Sequence, residues 1–139
     1  MSPRILAGSA RSGTTWVADA LAQANGSATL FEPLNPQAVP AARLIESRRL
    51  ADEEAAPVAA QFFDHLFAGG YRNEWTLGRV YRHELIPMRG QSLHGALSKC
   101  RAATRNYWRF GRSRNGQWIY KLIRANLMLA WLARRYQAR

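Results

Sequence analysis

The chain has 139 residues, 47% of them hydrophobic, which suits one domain spanning 1–139 with a core of its own. Its 20 basic residues, nearly all arginine, outnumber 9 acidic ones for a net charge of +11, so the expected partner is an anion: a nucleotide, nucleic acid, an anionic membrane surface or an acidic acceptor. The single cysteine, Cys100, excludes an intramolecular disulfide, no Cys/His cluster has zinc spacing, and the opening apolar run Ile5 to Ala7 is far too short for a secretory or membrane-spanning segment.

No transmembrane segment and no metal are therefore expected, and a reducing cytoplasm is the default location. Arginine in preference to lysine favours bidentate contacts with phosphate or sulfate oxygens, although genome composition gives the same bias.

In chain order, Arg4 to Ala7 predicts a short strand that stops at Gly8. Thr14 to Ala24 predicts a helix, with Trp16, Val17, Ala20, Leu21 and Ala24 on one face and Asn25-Gly26 closing it. Ala28 to Phe31 predicts a second strand, parallel to the first, ending at Glu32. Three prolines between Pro33 and Pro40 make an irregular loop. Asp52-Glu53-Glu54 then marks a helix start that runs on through Phe62, Phe63, Leu66 and Phe67 until Gly69-Gly70. Tyr71 to Asn115 has no clean period and predicts short helices and loops over one sheet edge. Gln117 to Ile123 predicts a third strand with its core at Trp118–Leu122. Ala125 to Tyr136 predicts a helix whose Met128, Leu129, Leu132 and Tyr136 share a face, with Arg124 and Asn126 as caps.

Gly8-Ser9-Ala10-Arg11-Ser12-Gly13-Thr14-Thr15 has the frame of a phosphate-binding loop: two glycines spaced as in G-x-x-x-x-G, then hydroxyl residues opening a helix after a strand. The chemistry needs this arrangement. Glycines let main-chain N–H groups converge on an anion, the helix N-terminus adds partial positive charge, and the threonine hydroxyls donate to the remaining oxygens. The lysine of a nucleoside triphosphatase loop is absent; Thr14 stands in its place and the cation comes earlier, at Arg11.

Arg11-Ser12-Gly13-Thr14-Thr15-Trp16 resembles the 5'-phosphosulfate-binding motif of the sulfotransferase family, [KR]-[ST]-G-[TS]-[TS]-[WL]. Phe31-Glu32-Pro33-Leu34 is similar to the Phe-Glu-Pro segment after the second strand in carbohydrate and bacterial sulfotransferases. The resemblance implies a three-layer, P-loop-like α/β fold with a parallel sheet, and transfer of a sulfuryl group from 3'-phosphoadenosine 5'-phosphosulfate to an acceptor hydroxyl or amine. Arg11, Ser12, Gly13, Thr14, Thr15 and Trp16 would form the donor site, with Arg11 also near the bridging oxygen. Glu32, ending a strand on the rim of the phosphate loop, becomes the candidate general base. Alternatively it caps the turn before Pro33 or pairs with Arg11. Lys121 resembles the lysine of the family's later strand; it either acts near the sulfonate or reaches solvent along its stem.

The family's second nucleotide motif, an Arg-Asp-Pro-like segment after a further strand, is missing, and the chain ends at Arg139, where that strand would begin. The resemblance therefore covers the N-terminal half of such an enzyme, without the part that holds the 3'-phosphate. It implies an incomplete sheet with an uncovered edge and a chain that is a fragment, or else a truncated, inactive homologue.

Two other classes compete. A P-loop kinase needs the loop lysine and a strand-end aspartate for magnesium, whereas Asp19, Asp52 and Asp64 all fall in predicted helices or helix starts. A basic anion- or nucleic-acid-binding module is suggested by Arg101 to Arg114, where Tyr107, Trp108 and Phe110 interleave with arginines. The bland reading of that segment is a helix with its aromatics in the core and its arginines in water, and no specific nucleic-acid partner is expected. Among the histidines, His65 reads as a core or surface residue beside Phe62 and Phe63, and His83 is an alternative base.

Overall fold

The computed structural model describes residues 2–45, 56–86 and 92–139. The helix start placed at Asp52-Glu53-Glu54 lies outside the described residues. Within them the order is β1 (Arg4–Ala7), α1 (Thr14–Ala24), β2 (Ala28–Phe31), a 3-10 turn (Pro40–Leu44), α2 (Ala56–Phe67), α3 (Glu74–Gly78), α4 (Arg82–Leu85), α5 (Leu93–Phe110), β3 (Trp118–Leu122), a second 3-10 turn (Asn126–Met128) and α6 (Leu129–Tyr136).

The three strands form one parallel sheet in the order β1-β3-β2, with Leu6 and Phe31 both opposite Lys121. β1 and β2 are parallel, as the sequence predicts, but they do not touch, because β3 enters between them. Strand alternation divides the sheet into two faces. Leu30, Tyr120 and Leu122 turn to a core built with Phe63 and Leu66 of α2, Ile45, Met128, and Leu132 of α6. Phe31 and Lys121 turn to the other face, where Phe31 meets Trp75 of α3 at 5.2 Å and Lys121 Nζ lies 4.2 Å from the Phe31 ring. α1 touches all three strands. The molecule is thus mixed α/β, with helices against both faces of a small parallel sheet.

Three expectations are corrected. α1 does not pack through Trp16 and Leu21, which are 76% and 43% exposed, and Ala24 is exposed too. The buried face is Ala18 and Ala22, one turn apart, because small side chains let the helix backbone lie close on the sheet. The Tyr71–Asn115 stretch is not merely short pieces: α5 runs for 18 residues from a Ser92 N-cap. Its inner side runs through buried Ala96 and Phe110 and half-buried Ala103 and Asn106, mostly small or polar residues that give no hydrophobic stripe, while Leu93, Leu97 and Trp108 face outward. The final helix begins as a 3-10 turn capped at Ala125 with no side-chain bond, so Asn126 is not its cap.

The predicted closure of α1 at Asn25-Gly26 holds. α1 ends in a Schellman closure in which Ser27 N donates to Ala22 O at 2.9 Å and Gly26 N to Gln23 O at 3.4 Å. Along the outer edge of β1, Arg139 N donates to Pro3 O at 3.1 Å and Ile5 N to Arg139 O at 2.8 Å, straddling Arg4 as bonds of a parallel ladder do.

Candidate phosphate loop and its strand-end carboxylate

The segment Gly8 to Gly13 joins the end of β1 to the start of α1. A Cβ on Gly8 would lie 2.5 Å from Thr14 Cγ2 and 3.0 Å from Ser12 Oγ, so the loop closes too tightly there for a side chain. Arg11 and Gly13 have φ of 61° and 76°, and these left-handed residues reverse the chain into the helix. Ser12 Oγ donates to Ser9 O at 2.7 Å and ties the turn from within.

Gly13 is the N-cap of α1 and offers no side-chain bond, and the first turn carries no acidic residue. The first-turn N–H groups therefore have no capping side chain and no carboxylate beside them, while the helix dipole leaves positive charge at that point. Thr14 and Thr15 are half-buried; Ser12 and Arg11 are exposed. Arg11 makes no ion pair among the described residues. Trp16, included in the motif, projects from the open side of α1, where it borders a 260 Å³ hollow with Asp19, Gln23 and Arg109.

Glu32 follows β2 directly. Because all three strands are parallel, it lies on the same rim of the sheet as Gly8, and its main-chain N donates to Lys121 O at 3.1 Å. The carboxylate does not pair with Arg11. Its Oε1 instead accepts from Lys121 Nζ at 2.5 Å, with the two side chains 16% and 3% exposed. Lys121 is thus buried between a ring and a carboxylate, and the reading in which it snorkels to solvent is overturned, because the residue is only 2% exposed. Glu32 also has φ of 44° immediately before Pro33, a position where a left-handed non-glycine residue is strained by about 1–3 kcal/mol.

The loop after Glu32 is fixed by a residue the sequence did not point out. Buried Asn35 receives Gln37 N at its Oδ1 (3.1 Å), donates its Nδ2 to Tyr81 Oη at 2.9 Å, and donates its main-chain N to Glu32 O at 3.0 Å. Tyr81 stacks on Trp75 at 4.2 Å, and Trp75 meets Phe31 edge-on, so an aromatic row leads from β2 to the surface. His83 ends that row, stacked on Tyr81 at 5.3 Å, and His65 sits edge-on to Tyr71. Arg79, also missed, is a left-handed C-cap of α3 with φ of 60°; its Nη1 donates to Asp19 Oδ2 of α1 at 2.8 Å. The sequence signal for this region was the Asn73-x-x-Thr76 capping box, in which Asn73 Oδ1 accepts from Thr76 N at 2.9 Å and Thr76 Oγ1 from Asn73 N at 2.9 Å.

Among the described residues no group of His, Cys, Asp and Glu could hold a metal ion, and no helix is long and apolar enough to cross a membrane. No protein-family model, no curated protein and no solved structure matches this chain.

Proposed function

We propose that the chain is the donor-binding part of a P-loop-like sulfotransferase, which moves a sulfuryl group from 3'-phosphoadenosine 5'-phosphosulfate to an acceptor hydroxyl or amine. The observation that carries this reading is the turn at the head of α1. It has an uncapped helix N-terminus free of acidic residues, a glycine closure with no room for a Cβ, and an arginine with no ionic partner among the described residues. Such a site fits a doubly charged phosphosulfate group: main-chain N–H groups and the Ser12, Thr14 and Thr15 hydroxyls bind its oxygens, and Arg11 neutralises it.

In the transfer, the acceptor oxygen or nitrogen forms a bond to sulfur as the bond from sulfur to the bridging oxygen breaks, and adenosine 3',5'-bisphosphate leaves. The acceptor proton goes to the Glu32 carboxylate. The Lys121 ammonium holds that carboxylate in place, and Arg11 offsets charge on the departing oxygen.

Calorimetric titration with adenosine 3',5'-bisphosphate tests the loop. Arg11→Ala removes a charge-assisted contact worth about 1.5–3 kcal/mol, so affinity falls at least tenfold with the fold intact. Unchanged affinity in a folded Arg11→Ala protein removes the phosphate loop from the proposal.

A further inference from the structure

A second feature suited to anions lies on the opposite rim. The C-terminal turn of α1 and the end of α5 enclose a groove of about 830 Å³, within the range of ligand clefts. Trp108, Arg109, Arg112 and Arg114 line it together with exposed Gln23 and buried Ser27, and no carboxylate does. Gly26 and Ser27 precede β2, so the groove stands at the N-terminal ends of the strands. It is therefore separated from Gly8 and Glu32 by the length of the sheet, about 13 Å for four residues.

We propose that this groove, together with the outward face of α5, binds single-stranded nucleic acid, with bases stacking on Trp108 and phosphates lying along the arginines. The first support is the state of the aromatics. A helix with its aromatics in the core leaves only arginines outside, yet Trp108 is 59% and Tyr107 43% exposed, and only Phe110 is buried. The bland reading of this segment is thereby corrected, because the inner side of α5 packs on α3 through small or polar residues, Ala103 close to Gly78 and Asn106 Nδ2 donating to Gly78 O at 3.0 Å, and the larger rings stay outside.

The arginines supply the second support. Arg101, Arg105 and Arg109 are exposed and four residues apart, which puts them on one helical stripe at intervals of about 6 Å. α5 contains no acidic residue, and among the described residues none of these three, nor Arg112 or Arg114, pairs with a carboxylate. The Arg112 guanidinium lies 4.9 Å from the Trp108 ring centre, so ring and cation are presented together, as sites for stacked bases and their phosphates require.

The simplest structural role for these cations would be to neutralise the negative end of α1. Most of the carbonyls there already have donors: Leu21 O accepts from Asn25 N, Ala22 O from Ser27 N, Gln23 O from Gly26 N and Gly26 O from Arg114 N. Asn25 O takes Asn115 Nδ2 at 2.7 Å. Neither the Arg112 nor the Arg114 guanidinium donates to any of these carbonyls. Ser27, 5% exposed in the groove lining, has a hydroxyl with no hydrogen-bond partner.

The test is fluorescence anisotropy of the whole chain with a labelled oligodeoxyadenylate of about 12 nucleotides. Saturable binding is expected, with log K falling against log salt at a slope of about −2 to −3.5, the value for about three to five phosphates on a single strand. Trp108→Ala combined with Arg112→Ala weakens binding at least tenfold. Trp108→Phe keeps a ring and most of the affinity, and Arg11→Ala changes nothing, which separates this site from the phosphate loop. The proposal is overturned by no binding, by equal loss in Trp108→Phe and Trp108→Ala, or by equal affinity for a duplex whose bases are already stacked. Tighter binding of an acidic oligosaccharide of equal charge, lost in the same double variant, would also overturn it and assign the groove to a glycan.

Discussion

Glu32, directly after β2, and Lys121 of neighbouring β3 are joined twice: the Glu32 main-chain N donates to Lys121 O at 3.1 Å, and Lys121 Nζ donates to Glu32 Oε1 at 2.5 Å. With the lysine side chain 3% exposed, neither partner can be removed without leaving a buried charge behind. Glu32→Gln and Lys121→Met should each destabilise the protein by about 3–5 kcal/mol in denaturant unfolding, and the double variant by clearly less than their sum. Strict additivity would mean the pair is not coupled. The double variant also separates chemistry from folding. It regains stability but lacks a base, so sulfuryl transfer should stay roughly 10²–10⁴-fold below the parent; full recovery of turnover would end the case for Glu32 as the base.

The two glycines of the phosphate loop should respond differently to a methyl group. Alanine at Gly8 would meet Thr14 Cγ2 at 2.5 Å and Ser12 Oγ at 3.0 Å, so the Thr14 side chain must turn or the first turn of α1 shift, whereas at Gly13 nothing lies within 4 Å and only the φ of 76° resists. Gly13→Ala is expected to cost about 1–2 kcal/mol in stability. Gly8→Ala is expected to cost about 1–3 kcal/mol and to reduce affinity for adenosine 3',5'-bisphosphate more strongly than Gly13→Ala does. Thermal melts and calorimetry on both variants check this, and a larger binding loss at Gly13 would contradict the packing.

Arg79 joins α3 to α1 through Asp19 with both nitrogens of its fork, and its guanidinium lies over Phe110 at 4.2 Å and Phe31 at 4.9 Å. Arg79→Ala should therefore cost about 3 kcal/mol. Arg79→Lys should recover little of it, since a single ammonium cannot bridge both carboxylate oxygens and stack on two rings. Recovery of most of the stability in the lysine variant would show that charge alone matters here.

Tyr136 ties α6 to α2 by donating to Asp64 Oδ1 at 2.7 Å. Burial first, and then the Asp64 carboxylate, push its phenol up to about 12 from an ordinary 10.0. A raised value means that the folded state keeps its proton longer than the unfolded state. The contribution is therefore complete below pH 10 and is lost as pH rises from about 10 to about 12. Tyr136→Phe lacks this term, so the melting-temperature gap between parent and variant should shrink between about pH 10 and about pH 12. A constant gap across that range would contradict it.

Local chemistry was enough for the elements that punctuation and period mark clearly. Gly8, Asn25-Gly26 and the apolar runs set the bounds of β1, α1, β2 and β3, and the glycine loop from Gly8 to Gly13 falls at the head of α1 as its spacing predicts. The face on which α1 packs was not legible there. The largest apolar residues suggested Trp16 and Leu21, whereas close approach to the sheet selects Ala18 and Ala22. The full length of α5 and its packing face were not legible for a similar reason: apart from Phe110, its inner side is made of small and polar residues that carry no hydrophobic period. The partner of Glu32 was a tertiary decision as well. Arg11 is nearer in the sequence, but β3 enters between β1 and β2 and brings Lys121 against the carboxylate from 89 residues away. Strand order is set by which faces can bury their side chains together, and that is a property of the assembled sheet, not of any one strand.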